Sequence, residues 1–228
     1  WKKDFRALLL LGAAYEILEE GLMVKSFFDP NWVDLGVLGV YGRWLEVNWV
    51  WTEMLIIYHA VFSITIPIVL VELAYPERKG DSWVGKRTFA GLTALLSFVT
   101  AFGYFLLTPY IPPLTHYLIA IFAMFLFIYI AYKIPSEKQK AREKKEGKPK
   151  LFWTAGLVST AIFFLLFWAC PNFINNPVVL MLIGIALVFD MLKVLGNFDW
   201  ENPKSAPSQW AIVAGALSFL IFLAFCMR

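Results

Sequence analysis

The sequence predicts an all-α fold: a polytopic transmembrane helix bundle of seven spans. Three observations lead there. Hydrophobic residues make up 60% of the 228 and charged residues 16%, against roughly 45–50% and about 25% in soluble domains. The apolar residues gather into seven runs, each near the ~20 residues that cross ~30 Å of hydrocarbon as a helix. Pro76, Pro109, Pro112, Pro113, Pro135, Pro171, Pro177 and Pro207 fall at run ends, where a missing N–H does least harm. Backbone polar groups must pair internally in lipid, so runs this apolar are predicted as helix.

The spans are placed at about 6–28, 49–74, 88–108, 114–134, 151–170, 177–195 and 208–227. The whole of 1–228 reads as one membrane domain, because the polar stretches are too short to fold separately. Trp1–Arg6 followed by Leu8–Leu11 looks like the start of a signal peptide. No small-residue cleavage site follows, however, and the run continues through glutamates, so it reads as a mature span. Between the first two spans, the segment at about 30–48 is too short to cross and too apolar for a free loop. It carries Gly36, Gly39 and Gly42 at every third position, which on a helix forms one small-residue stripe suited to close packing. An interfacial or re-entrant segment over the outer ends of spans one and two is expected. The second span contains Pro67, the one proline away from a run end, and a kink is expected there.

Orientation follows from the basic residues. With the N-terminus cytoplasmic, all twenty Lys and Arg fall on the inner side except Lys25, Arg43 and Arg228. That bias predicts N-terminus in, C-terminus out, in a multi-pass protein of the cell membrane. Trp32, Trp44, Trp49, Trp51 and Tyr110 then mark the outer boundary, and Trp83, Trp153, Trp200 and Trp210 the inner one. The inner loop at 135–150 is densely basic, which suits a solvated extension of the fourth helix or an anionic-lipid contact. The positive balance serves topology, so no nucleic-acid partner is implied. The implied partners are the lipid bilayer, a small solute, ion or lipid, and other membrane subunits.

The polar content concentrates on spans one and two. Charge inside hydrocarbon costs ~2.5–3.5 kcal/mol per residue on insertion scales, which makes such residues functional suspects. On the first span Gly12, Ala13, Glu16 and Glu20 share one helical face, with Glu19 flanking it and Lys25 nearer the outer end. On the second, Glu53 lies near the outer surface and His59 close to mid-depth, with Thr52 and Ser63 able to share the face of His59. His116 opens the fourth span at a similar depth. Glu16, Glu20, Lys25, Glu53 and His59 are therefore the candidate binding residues, with the glutamates as carboxylate ligands or proton carriers and Lys25 as counter-ion at the entrance. The bland alternative is a set of structural ion pairs, Lys25 with Glu20 or Glu53, and His59 in a helix–helix hydrogen bond.

No metal and no cofactor is assigned. Tight ligand spacing such as H-E-x-x-H is missing, and no glycine-rich phosphate loop follows a strand, since no strand is expected. Asp190 and Lys193 read as a surface pair near the inner boundary, and the last three spans as scaffold. Cys170 and Cys226 lie at outer span ends, where disulfides can form, but free thiols are the default.

Glu19-Glu20 on one span, His59 on the next and His116 further on are similar in outline to the CAAX-protease and bacteriocin-processing family. The family's motifs are Glu-Glu-x-x-x-Arg, Phe-x-x-x-His and His-x-x-x-Asn/Asp. Here Val24 stands at the Arg position, Leu55 at the Phe position and Ala120 at the Asn/Asp position. The resemblance implies an intramembrane hydrolase in which Glu19, Glu20, His59 and His116 activate water. The leading expectation is non-catalytic: a polar intramembrane site on spans one and two that binds or translocates a small solute, ion or lipid headgroup. A third is a structural subunit of a larger membrane complex.

Overall fold

The structure is a computed structural model that describes residues 5–79, 81–134, 147–196, 198, 200 and 203–226. Lys2, Lys3, Arg228 and positions 135–146 of the basic loop lie outside the described residues.

Helix α1 (Phe5–Glu16) continues as a π-helical segment, Ile17–Met23. Helix α2 (Trp49–Tyr58), a second π segment (His59–Thr65) and α3 (Ile66–Ala74) form one unbroken helix, Trp49–Ala74. Then come α4 (Lys86–Leu106), α5 (Leu114–Lys133), α6 (Pro149–Phe164), α7 (Pro177–Gly196) and α8 (Ala206–Cys226). Six of these helical stretches are long and apolar enough to cross a membrane. The protein is an all-α, multi-pass membrane protein. The first stretch is of spanning length too, but carries Arg6, Glu16, Glu19 and Glu20.

Span ends fall close to expectation except at the first. That helix stops at Met23 rather than near residue 28, because Lys25 adopts a left-handed backbone (φ 66°) that no helix can continue through. In the second span the winding changes to π just ahead of Pro67, whose missing N–H leaves a carbonyl one turn back without its usual donor.

The segment after Met23 differs from a striped helix. Gly36 and Gly42 take positive φ (51° and 80°), so they serve tight turns, and only Gly36–Gly39 forms a short 3₁₀ turn. A small hairpin follows, β1 (Arg43–Trp44) pairing antiparallel with β2 (Val47–Asn48), where no strand was expected. Its turn residues Leu45 and Glu46 both have positive φ, the signature of a type I′ turn, which matches strand twist. Buried Asn48 ties the segment down: its Nδ2 donates to Ser26 O (2.9 Å) and Asp29 O (3.1 Å), and its Oδ1 accepts from Arg43 Nη1 (2.6 Å).

The residues pack as two compact units. The first holds everything described up to Thr65 together with α4 and α5. Within it α1 lies against the π segment His59–Thr65 and against α5. The approach is close: a Cβ placed on Gly12 would fall 2.6 Å from Ala60 Cα. The second unit contains α3, α6, α7 and α8. There α6 and α8 meet backbone to backbone, since a Cβ on Gly156 would run into Ile212 O and one on Gly215 into Trp153 O. Phe163, Phe164, Phe167 and Phe219 fill the neighbouring space. Asp190 and Lys193 form their exposed pair at 3.4 Å, and Cys170 and Cys226 are both free.

Candidate functional site

The polar cluster of the first unit forms where both helices change their winding. Glu16 is the last residue of α1 before its π segment, and His59 is the first residue of the second π segment; a third, Leu165–Ala169, continues α6. Single π turns inside α-helices are rare and concentrate at functional sites. The Gly12–Ala60 contact brings the two backbones close enough for an imidazole to reach a carboxylate on the facing helix. His59 Nδ1 stands 3.4 Å from Glu16 Oε2 and 3.6 Å from Glu19 Oε2. Ser63 Oγ is 3.1 Å from the same nitrogen, one turn along its own helix. Tyr58 meets the imidazole edge-on, with ring centroids 5.2 Å apart.

Glu16 has 0% exposure, and neither of its oxygens has a hydrogen-bond donor. Buried polar atoms nearly always find partners, so an unpartnered carboxylate calls for an explanation. Glu19 and His59 retain side-chain exposures of 28% and 17%. The ligand atoms of Glu16, Glu19 and His59 all lie within 4.8 Å of one another, a spacing that a single cation can bridge. The sequence has no local metal motif because these three come from two helices that meet only through packing.

The other expected residues go elsewhere. Glu20 accepts a short hydrogen bond from Ser26 Oγ, which itself accepts from Trp51 Nε1 at 3.0 Å. On a helix, residues three and four beyond Glu16 fall on either side of it. His59 approaches on the Glu19 side, Ser26 on the Glu20 side. The spacing thus nominates Glu19 as readily as Glu20 for a place beside Glu16.

Lys25 does not meet Glu20 or Glu53. Its buried ammonium donates to Tyr104 O (2.7 Å) and Thr108 O (3.0 Å) and stands 4.4 Å from the centre of the Tyr104 ring. A cation at the C-terminal end of α4 satisfies the open Tyr104 carbonyl of its last turn and the Thr108 carbonyl just beyond it, and complements the helix dipole. Glu53, six residues before His59, lies roughly a third of a turn away from it on an α-helix. It is not part of the Glu16–Glu19–His59 cluster, and its two oxygens are buried without a hydrogen-bond partner. His116 engages the hairpin, with Nε2 2.8 Å from Leu45 O and Nδ1 3.3 Å from Thr115 Oγ1. The four residues of the hydrolase arrangement are therefore divided, with Glu20 and His116 engaged by other groups.

Compared with protein-family models, with curated proteins and with solved structures, the chain matches none.

Proposed function

We propose that the protein binds a small cation at the Glu16–Glu19–His59 site and carries it across the membrane. Glu16 is the principal acceptor in this reading, and Glu19 and His59 its partners. The observation that carries it is the fully buried Glu16 carboxylate, with no hydrogen bond to either oxygen and His59 Nδ1 3.4 Å from one of them. Leaving a buried acceptor unsatisfied costs about 1–3 kcal/mol, more for a charged group, which packing alone gives no reason to retain. A metal ion would satisfy those oxygens and a proton would neutralise their charge, and acidic side chains within membrane helices commonly serve such traffic.

Depth supports the reading. His59 lies ten residues along the candidate span Trp49–Ala74. At ~1.5 Å per residue that is about 15 Å, half of a ~30 Å hydrocarbon core. The lysine and arginine distribution favours a cell-membrane protein with its N-terminus in the cytoplasm.

The test is flux through purified protein in liposomes, driven by a proton or divalent-cation gradient. Glu16→Gln should lower the rate at least roughly tenfold, the factor that about 1.4 kcal/mol produces. A monodisperse Glu16→Gln protein with wild-type flux for both gradients would sink the proposal.

A further inference from the structure

We infer that Glu16, Glu19 and His59 are ligands of one divalent first-row transition-metal ion, of the Zn²⁺, Mn²⁺ or Fe²⁺ class. The inference rests on reading this cluster as a cation site and names the cation.

Four features of the cluster select a metal. First, His59 Nδ1 faces three oxygens, Glu16 Oε2 at 3.4 Å, Glu19 Oε2 at 3.6 Å and Ser63 Oγ at 3.1 Å. A ring nitrogen has one proton to donate or one lone pair to offer, so hydrogen bonding from it cannot serve all three. A metal ion placed among the nitrogen and the two carboxylates serves them together. Second, the two nitrogen–carboxylate distances match the edge of a tetrahedron with bonds of ~2.0–2.2 Å, which is about 3.4 Å. Third, the charges close. Two carboxylates and a neutral imidazole around a divalent ion sum to zero, the arrangement that a low-dielectric setting tolerates best. Fourth, Glu16 is fully buried with both oxygens unpartnered and a near neighbour in His59, so it is already desolvated and needs no further stripping of water to ligate.

The donor set decides the class. Imidazole nitrogen favours zinc, iron, copper and nickel, and carboxylate oxygen favours manganese, magnesium and calcium. One nitrogen with two carboxylates falls in the overlap. Calcium takes six to eight oxygens, more than three side chains offer. The ion then has three protein ligands and room for a fourth, and Ser63 or water can occupy that place on the exposed side of Glu19 and His59. A site with three protein ligands and an open position exchanges its ion more readily than a closed structural centre.

The experiment is metal binding to the full chain in detergent, by equilibrium dialysis and by Co²⁺ absorption. The expected result is one Co²⁺ or Zn²⁺ per chain, with d–d bands of a nitrogen- and oxygen-ligated ion and no competition from excess Mg²⁺ or Ca²⁺. Affinity should fall at least about tenfold in Glu16→Gln, Glu19→Gln and His59→Gln. Asp190→Asn, an exposed carboxylate in the other unit, should leave it unchanged. Glu19→Gln and His59→Gln alter groups less buried than Glu16, so they keep the test valid should Glu16→Gln fail to fold. No stoichiometric binding, or binding that survives the His59 and Glu19 changes, overturns the inference. If Glu16→Gln still abolishes proton flux in that case, the carrier reading stands without the metal. If metal binding depends on the three residues but Glu16→Gln transports normally, the metal site stands and the carrier reading falls.

Discussion

The ammonium of Lys25 occupies a place that few other groups can fill. The last turn of α4 leaves carbonyls without intrahelical donors. Lys25 reaches that of Tyr104, and that of Thr108 just past the helix, from across the unit and over the ring of Tyr104. Lys25→Met keeps the stem and removes the donors. It should cost about 1–3 kcal/mol, the penalty for orphaned buried acceptors, and appear as a lower thermal unfolding midpoint in detergent with metal binding retained. The same position illustrates what spacing leaves open. Reading Lys25 as the glutamates' counter-ion assumed that the helix ran past it, and its left-handed backbone turns the side chain to α4 instead. Glu16 was legible as a suspect because charge among apolar residues is costly. That Glu19 rather than Glu20 would join it depended on which side His59 approached.

At the scale of elements, the site exists because α1 and the His59–Thr65 segment touch at Gly12 and Ala60. A side chain at Gly12 would meet backbone, which cannot rotate aside. Gly12→Val should therefore separate the helices, cost about 1–3 kcal/mol as overpacking does, and weaken binding of the cation along with stability. Gly91→Ala is the contrast, since its Cβ would meet nothing within 4 Å. It should stabilise α4 by roughly 0.5–1 kcal/mol through reduced backbone entropy. Thermal unfolding of the two variants separates these outcomes. Helix positions were legible almost to the residue from runs of apolar side chains and prolines at their ends. The π segments were not, because their i→i+5 bonding answers to packing and to Pro67 and has no composition of its own. The hairpin at 43–48 was missed for a related reason. Its turn uses Leu45 and Glu46 in place of Asn-Gly, and His116 from α5 bonds the Leu45 carbonyl.

For the whole molecule, the basic residues predict which ends of the helices face the cytoplasm. In a background with Cys170 and Cys226 replaced by serine, Ser82→Cys should react with a membrane-impermeant thiol reagent only after cell lysis. Asn175→Cys should react in intact cells. The reverse pattern would invert the orientation. By itself the sequence determined that the chain is a multi-pass, all-α membrane protein, and where its helices begin and end apart from the outer end of the first. Hydrophobic length and unpaired backbone groups in lipid leave no other state for such runs. Only the tertiary structure decided which polar groups meet. Depth along a span can be counted from the chain, but the direction a face points is set by neighbours: Gly12 against Ala60 draws His59 to Glu16 and Glu19. The open carbonyls of α4 take Lys25 away from them.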